Sequence, residues 1–328
     1  MANTSFSVLI SSFNYANYVV DTVRSALAQT HPPIQVIIVD DGSVDDSVAT
    51  LRQAFEGDRL VKIISKENGG QMSSWIEGLR LVEGDVVALL DSDDLWTPRY
   101  LERNAAVFAA DPSVDYVYCN MELFGTRSGL RLKKRRHQTD RDLGLSVLLG
   151  AFVQRWQGIA TSGNCIRREL LRELLSLPAA DIPAWKSRPD DCLFYGSDIL
   201  GAHKYYLAEP LVRHREHTRN AKLEFSNAPL KLARYAIQFE KMLDHYRRRM
   251  GISASWLRLA KHEFRSKSAP DFSEWLIYSG LALRAPIRFS ACINQIAAIT
   301  AHYLRSRWRR VAGGTRLAVA SVPKGPEG

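Results

Sequence analysis

Asp85-Val86-Val87-Ala88-Leu89-Leu90-Asp91-Ser92-Asp93-Asp94 is an apolar run that stops in three carboxylates within four residues. Short, rich in Val and Leu and entered through Gly84, it predicts a strand buried on both faces of a parallel sheet. Its acids then stand at the C-terminal edge, where open α/β sheets hold their ligands. Carboxylates spaced Asp-x-Asp there can hold a divalent cation against a diphosphate, because hard cations take oxygen ligands. Alone, Asp-x-Asp is common enough to read as a solvated acidic turn, so its meaning rests on its neighbours.

Upstream the same grammar recurs. Phe6 to Ser12 is β-rich, and beyond the Phe13-Asn14-Tyr15 turn Val19, Val23 and Leu27 step at helical spacing. His31-Pro32-Pro33 ends that helix, and Gln35 to Val39 predicts a second strand that runs into Asp40-Asp41-Gly42-Ser43. Ser43 and Asp46 have the spacing of a capping box for a helix through Val48, Leu51 and Phe55. Leu60 to Ile64 predicts a third strand, Gln71 to Leu81 a third helix, and Thr97-Pro98 the capped start of a helix through Leu101 and Val107. Four strands alternating with four helices require a mostly parallel sheet with right-handed crossovers, which brings every strand's C-terminal end to one edge. Ser11, Asp41 and Asp91 to Asp94 should therefore converge, and three polar strand ends in one place are hard to ascribe to accident.

Tyr116 to Asn120 predicts a fifth strand, after which the alternation breaks down. Arg131-Leu132-Lys133-Lys134-Arg135-Arg136 is a basic run in a loop, read first as a solvated face and second as a phosphate or lipid contact. Thr161-Ser162-Gly163-Asn164 precedes a predicted helix from Arg167 to Leu177, and Asp190-Asp191 opens another, where spacing alone suggests acids favoured by the helix dipole. From Ala228 the pattern turns helical and arginine-rich. Phe289 to Leu304 is too short and too polar to span a bilayer, and with Arg305, Arg307, Arg309 and Arg310 it has the look of a basic amphipathic helix. Such a helix either lies on an anionic membrane or packs on the main domain. The tail after Gly313 is expected to be disordered.

With 328 residues the chain can bury one large core or two smaller ones. Its 44 basic against 35 acidic residues give a net charge of +9, which suits an anionic partner such as a nucleotide, a nucleic acid or an acidic membrane surface. Cys119, Cys165, Cys192 and Cys292 are scattered with no Cys-x-x-Cys pair, so neither a zinc site nor a disulfide framework is indicated and a reducing cytoplasm is expected. Met-Ala-Asn-Thr leads straight into a strand pattern, with no secretory signal visible.

The order of these motifs closely resembles the inverting family-two glycosyltransferases of the GT-A fold. Ser7-Val-Leu-Ile-Ser-Ser-Phe-Asn14 resembles the family's opening strand, Val39-Asp40-Asp41-Gly42-Ser43 its nucleotide-binding turn, Glu67-Asn68-Gly69-Gly70-Gln71 its third loop and Leu90-Asp91-Ser92-Asp93-Asp94 its Asp-x-Asp segment. A looser likeness continues through Asp190-Asp191 and Pro210-Leu211-Val212-Arg213-His214-Arg215-Glu216-His217.

The resemblance implies a mostly parallel mixed sheet with helices on both faces and a C-terminal helical extension. A transferase domain would occupy 1–225, with 1–125 binding the nucleotide-sugar and 126–225 the acceptor, and a helical region would follow over 226–328. It implies that Ser11 and Asp41 meet the nucleobase end of the donor, that Asp91 faces the ribose, and that Asn14, Asn68, Gln71 and Ser92 join them. Asp93 would bind Mn2+ or Mg2+ at the diphosphate, and Asp191 takes the place of the catalytic base, overturning the capping reading there. His217 falls where relatives place a further metal or phosphate contact, or is a surface histidine. Arg215, Asp190 and Asn164 are assigned to the diphosphate or acceptor. Two departures stand out: Ser74-Trp75-Ile76 where the family often has Ala-Arg-Asn, and Asp190 in place of Glu.

The implied activity is inverting sugar transfer from a nucleotide-diphospho-sugar to an acceptor hydroxyl of a glycan or lipid-linked molecule, in surface polysaccharide or glycoconjugate synthesis. The expected setting is cytoplasmic or peripheral on the inner membrane face. A sugar-nucleotide pyrophosphorylase would open with a Gly-rich basic loop, which Ser11-Ser12-Phe13-Asn14-Tyr15 does not supply. A nucleic-acid binder would suit the charge, but acids at the crevice repel phosphate unless a metal intervenes. A scaffold without turnover is the remaining alternative.

Overall fold

The computed structural model describes residues 4–134, 137–185, 188–217 and 229–312. Its first compact unit runs from the N-terminus to Ala254. There β1 (Phe6–Ser12), β2 (Gln35–Asp40), β3 (Val61–Ser65) and β4 (Val86–Asp91) alternate with α1 (Val19–Leu27), α2 (Ser47–Phe55) and α3 (Gln71–Leu79). They pair in the order β3-β2-β1-β4, all parallel. Every residue of β2, and Val86 to Leu90 of β4, is buried, as a strand covered on both faces requires.

The register turns the expected convergence into adjacency: Ser11 pairs with Asp91 on one side and Val39 on the other, and Ser12 with Asp40. Gly84 sets the entry to β4, since a Cβ there would come within 2.6 Å of the Ser7 backbone nitrogen.

Beyond β4 the sheet becomes mixed. After β5 (Leu95–Trp96) and α4 (Tyr100–Ala110) come β6 (Tyr116–Gly125), β7 (Gly129–Leu130), β8 (Arg141–Gly144) and β9 (Asn164–Arg167). Then follow α5 (Arg168–Leu174), α6 (Asp190–Ile199), β10 (Lys204–Glu216) and α7 (Pro229–Arg249). Strand β9 lies antiparallel between β4 and β6, and β10 runs parallel to β6 with a bulge at Pro210. The proline cannot donate to the ladder, which forces the register shift there.

Several sequence expectations are corrected. The fifth strand runs on to Gly125, and the helix expected from Arg167 to Leu177 runs from Arg168 to Leu174, preceded by a short strand over Asn164–Arg167. Ser43 does not cap α2: its hydroxyl donates to the Asp40 carboxylate 2.5 Å away, and the helix starts at Ser47. Thr97-Pro98 lies ahead of α4, because the Pro98 carbonyl accepts from Thr30 N and the first helical residue is Tyr100.

The expected domain boundary after residue 225 lies outside the described residues. Compactness divides the chain between Ala254 and Ser255, with α7 in the first unit. Met242, Leu243 and Tyr246 of α7 are buried there, and the Tyr246 hydroxyl donates to the Leu174 carbonyl of α5. The second unit holds α8 (Ala260–Ser266), α9 (Phe272–Leu283) and α10 (Phe289–Ala312). The tail after Gly313 lies outside the described residues. Among the described residues no helix is long and apolar enough to cross a membrane.

The helix that carries Asp190 and Asp191 is held from its far end. Lys204, at the start of β10, is fully buried with its ammonium 2.7 Å from the Asp198 carboxylate and also donates to the Phe194 carbonyl. Removing one member strands the other charge in the core. Asp198→Ala should therefore lower the unfolding free energy by about 3–5 kcal/mol, and pairing it with Lys204→Met should recover most of the loss, as read by urea denaturation.

Candidate active site

The C-terminal ends of β1, β2 and β4 open on a cleft of about 330 Å³ lined by Ser11, Phe13, Tyr15, Asp41, Gln71, Asp91, Ser92, Asp93, Arg131 and His214. A volume of this order suits a small-molecule ligand. At its floor the Gln71 side-chain nitrogen donates to both the Ser11 hydroxyl (3.1 Å) and the Asp91 carboxylate (2.5 Å). The β1 end and the α3 start are thereby joined to the acidic turn.

The second wall is built on Asp41. Its carboxylate accepts from the backbone N–H groups of Gly69 (2.9 Å) and Gly70 (2.7 Å) and from Lys66 (2.7 Å). Asn68 donates to the Asp41 carbonyl. Gly42 adopts a positive φ of 76° beside this contact, in the region that favours glycine, and a Cβ there would meet Asn68 N at 3.0 Å. Lys66 was not singled out from sequence, where nothing marks it as the counter-ion of a carboxylate 25 residues away.

The three acids of the turn divide their work. Asp94 is fully buried and faces inward: its carboxylate accepts from Ser162 (2.6 Å), from His214 Nδ1 (2.9 Å) and from the Arg215 backbone nitrogen (2.8 Å). Asp93 lines the cleft and accepts from His217 Nε2 at 2.8 Å, while Arg215 Nε donates to the Asp93 carbonyl. His217 stacks on Tyr18, and the Arg215 guanidinium lies over Tyr18 and Phe124. Burial raises the Asp91 carboxyl well above the ordinary range, and Asp94, Asp93 and Asp190 raise it further. Asp93 is raised by burial and Asp94, with His217 opposing.

A cation would relieve that repulsion. Asp93 offers a carboxylate oxygen, the donor kind that suits manganese or magnesium, with the His217 imidazole beside it, and the remaining ligands can come from phosphate and water. Among the described residues no group of three His, Cys, Asp or Glu gathers to hold a metal by itself.

Asp190 and Asp191 open α6 and point to different surroundings. Asp191 is fully buried; Tyr235 of α7 donates to one of its oxygens and Arg188 bonds the carboxylate at 3.1–3.2 Å. Burial raises its carboxyl while Tyr235 and Arg188 oppose. Asp190 is raised to about 6 by burial and by Asp191, and its charge in turn raises Asp91. Tyr235 and Arg188 escaped the sequence reading, since neither carries a motif.

Other expected site residues lie elsewhere. Asn14, at a positive φ of 58°, accepts from Val44 N through its side-chain oxygen and bridges the β1 and β2 loops. Asn164 is buried, accepting from the Tyr116 hydroxyl and donating to the Ala160 and Thr161 carbonyls. Arg131, from the basic run, lines the cleft; Arg135 and Arg136 lie outside the described residues.

Residues 7–175 match the model of the family described as Glycosyl transferase family 2. An uncharacterized glycosyltransferase of Nostoc sp. (strain PCC 7120) is 33% identical over 224 residues, 68% of each chain. Chondroitin synthase of Escherichia coli is 37% identical over 112 residues, which span 34% of this chain and 16% of that protein. Among solved structures, S. aureus TarS 1-349 in complex with UDP-GlcNAc superposes with a TM-score of 0.55 at 16% identity, covering 94% of this chain and 92% of that one. At that identity the likeness concerns the fold, a central sheet flanked by helices.

The raised Asp190 carboxyl makes a prediction about stability. A carboxyl whose folded pKa lies above its unfolded value favours the native state when protonated, so the Asp190 contribution to stability is fully present below about 4 and is lost as pH rises through about 6. Urea unfolding should show Asp190→Asn with a flatter pH dependence over that window and higher stability than the parent at its upper end.

Proposed function

Because the chain belongs to glycosyl transferase family 2, we propose that it transfers a sugar from a nucleotide-diphospho-sugar to an acceptor hydroxyl with inversion at the anomeric carbon. The observation that carries this reading is the cleft where Ser11, Asp41, Asp91 and Asp93 meet at the parallel strand ends. Ser11, Asp41 and Gln71 bind the nucleoside side of the donor, and Asp91 the ribose. Arg131 adds positive charge toward the phosphates. Asp93 and His217 would hold a manganese or magnesium ion, whose charge against the departing diphosphate eases its release without a proton donor.

Asp191 acts as the base. As the acceptor oxygen bonds to the anomeric carbon, its proton passes to the Asp191 carboxylate and the electron pair of the breaking bond leaves with the diphosphate. Arg188 and Tyr235 orient that carboxylate, and the acceptor hydroxyl takes the place of one of their hydrogen bonds. The acceptor is a glycan or lipid-linked sugar in polysaccharide or glycoconjugate synthesis, a reading supported by the likeness to a chondroitin synthase.

Thermal stabilisation by a panel of nucleoside diphosphates, with and without manganese, tests base identity and metal dependence together. UDP heads the panel because the TarS structure is a complex with UDP-GlcNAc. Asp93→Asn should keep the fold and lose the manganese-dependent part of the stabilisation; an unchanged response would reject the metal assignment.

Asp191→Asn should retain donor binding and lose transfer by about 10²–10⁴-fold, with Asp190→Asn milder. Tyr235→Phe removes a hydrogen bond that lowers the Asp191 carboxyl. The acidic limb of its kcat/KM profile should therefore move to higher pH.

A further inference from the structure

The second compact unit presents an outer surface that a water-exposed helix pair has no reason to carry. In α10 one face is buried, through Cys292, Gln295, Ile299, Tyr303 and Ser306. At 3.6 residues per turn, Phe289, Ile293, Ala297, Ala301, Leu304 and Trp308 fall together on another face, and all six are exposed. Phe289 is 74% and Trp308 72% exposed. A helix lying on a protein core keeps its outer face polar, and this one does not.

Helix α9 continues the pattern. It packs antiparallel to α10, with Trp275 Nε1 donating to the Thr300 hydroxyl at 3.0 Å and Phe272 stacked on Trp275 and near Tyr303. Its exposed Phe272, Leu276 and Leu283 also share one face. At the turn between the helices, Leu283, Arg284, Pro286, Arg288 and Phe289 are exposed together. At the opposite end stand Phe272, Leu304, Arg305, Arg307, Trp308 and Arg309. Both ends of the pair thus combine an exposed aromatic ring with arginines.

Charge chooses the occupant. No Asp or Glu occurs between Glu274 and Glu327, whereas 275–312 contains six arginines. The three acids of the unit's described residues are engaged internally. Glu263 accepts from the Tyr278 hydroxyl, Glu274 lies buried 3.9 Å from Lys267, and Asp271 forms the capping box of α9 with Glu274. The exposed formal charges on α9, α10 and the turn are therefore all positive. A second copy of this face would set arginines against arginines, but lipid phosphates would meet them while the rings enter the acyl boundary.

We propose that the outer face of α9 and α10 docks on an anionic lipid surface, with Phe289, Ile293, Leu304 and Trp308 inserting at the headgroup level and Arg284, Arg288, Arg305 and Arg307 pairing with phosphates. The inference stands independently of the transferase reading.

Flotation of the full chain with phosphatidylcholine vesicles, with and without phosphatidylglycerol, tests it. The parent should float with the mixed vesicles, less so as salt is raised, and not with phosphatidylcholine alone. Phe289→Ser with Trp308→Ser should cut the bound fraction at least about tenfold at an unchanged thermal midpoint. Arg284→Gln with Arg288→Gln should weaken binding most at low salt. Failure of the parent to float with mixed vesicles, or flotation of both double variants equal to the parent's, would overturn the proposal. So would a parent that is dimeric in solution and becomes monomeric on Phe289→Ser with Trp308→Ser, which would mean that a second copy covers the face.

Discussion

The buried carboxylate of Asp94 is the constraint on which the cleft depends. It sits one residue beyond the metal candidate and ties its turn to two segments that are remote in sequence: Ser162 before β9, and His214 with the Arg215 backbone in β10. Ser162 in turn accepts from the Asp91 backbone nitrogen, and its carbonyl accepts from Trp96 Nε1. A charge placed at zero exposure is tolerated only when hydrogen-bonded this fully. Because Asp94 pins the turn from below, Asp93 and Asp91 are held at the cleft without freedom to swing apart.

That rigidity has an electrostatic consequence. Burial raises the Asp91, Asp93 and Asp190 carboxyls, and neighbouring acids raise them further: Asp94, Asp93 and Asp190 act on Asp91, Asp94 on Asp93, and Asp191 on Asp190. Perturbed carboxyls gathered in a concave site are a mark of function more than of structure, because a fold has no stability reason to crowd them. Arg131 on the cleft wall and Lys66 bonded to Asp41 place positive charge beside the cleft.

Evolution of charge along the chain divides its two units. In the first, several buried or half-buried cations are committed to carboxylates, as Lys204 is to Asp198, Arg188 to Asp191 and Lys66 to Asp41. On α10 and the turn before it the arginines have no acidic side chain of their own segment to meet. The net charge of +9 is therefore less a global property than a local one, concentrated where the apolar outer face lies.

By itself the sequence determined the parallel half of the sheet and the acidic turn, because both are local. Apolar runs of strand length ending in Asp, separated by helical spacing and closed by Pro or Gly, leave a parallel sheet as the only economical packing, and period and chirality then bring Ser11 beside Asp91. It also marked His217 and Arg215 through motif likeness, and the register of β10 brings them to Asp93. Tertiary structure alone decided the antiparallel insertion of β9, the bulged course of β10, and the partners of the buried charges. Short strands paired across 40 or more residues leave no periodic trace, so Ser162 and His214 around Asp94, or Tyr235 on Asp191, have no signal before folding. Asn14 and Asn164 show the converse: residues with the right motif position whose side chains the fold spends on backbone and tyrosine partners, because a loop or strand end that leaves the sheet must satisfy its own polar groups first.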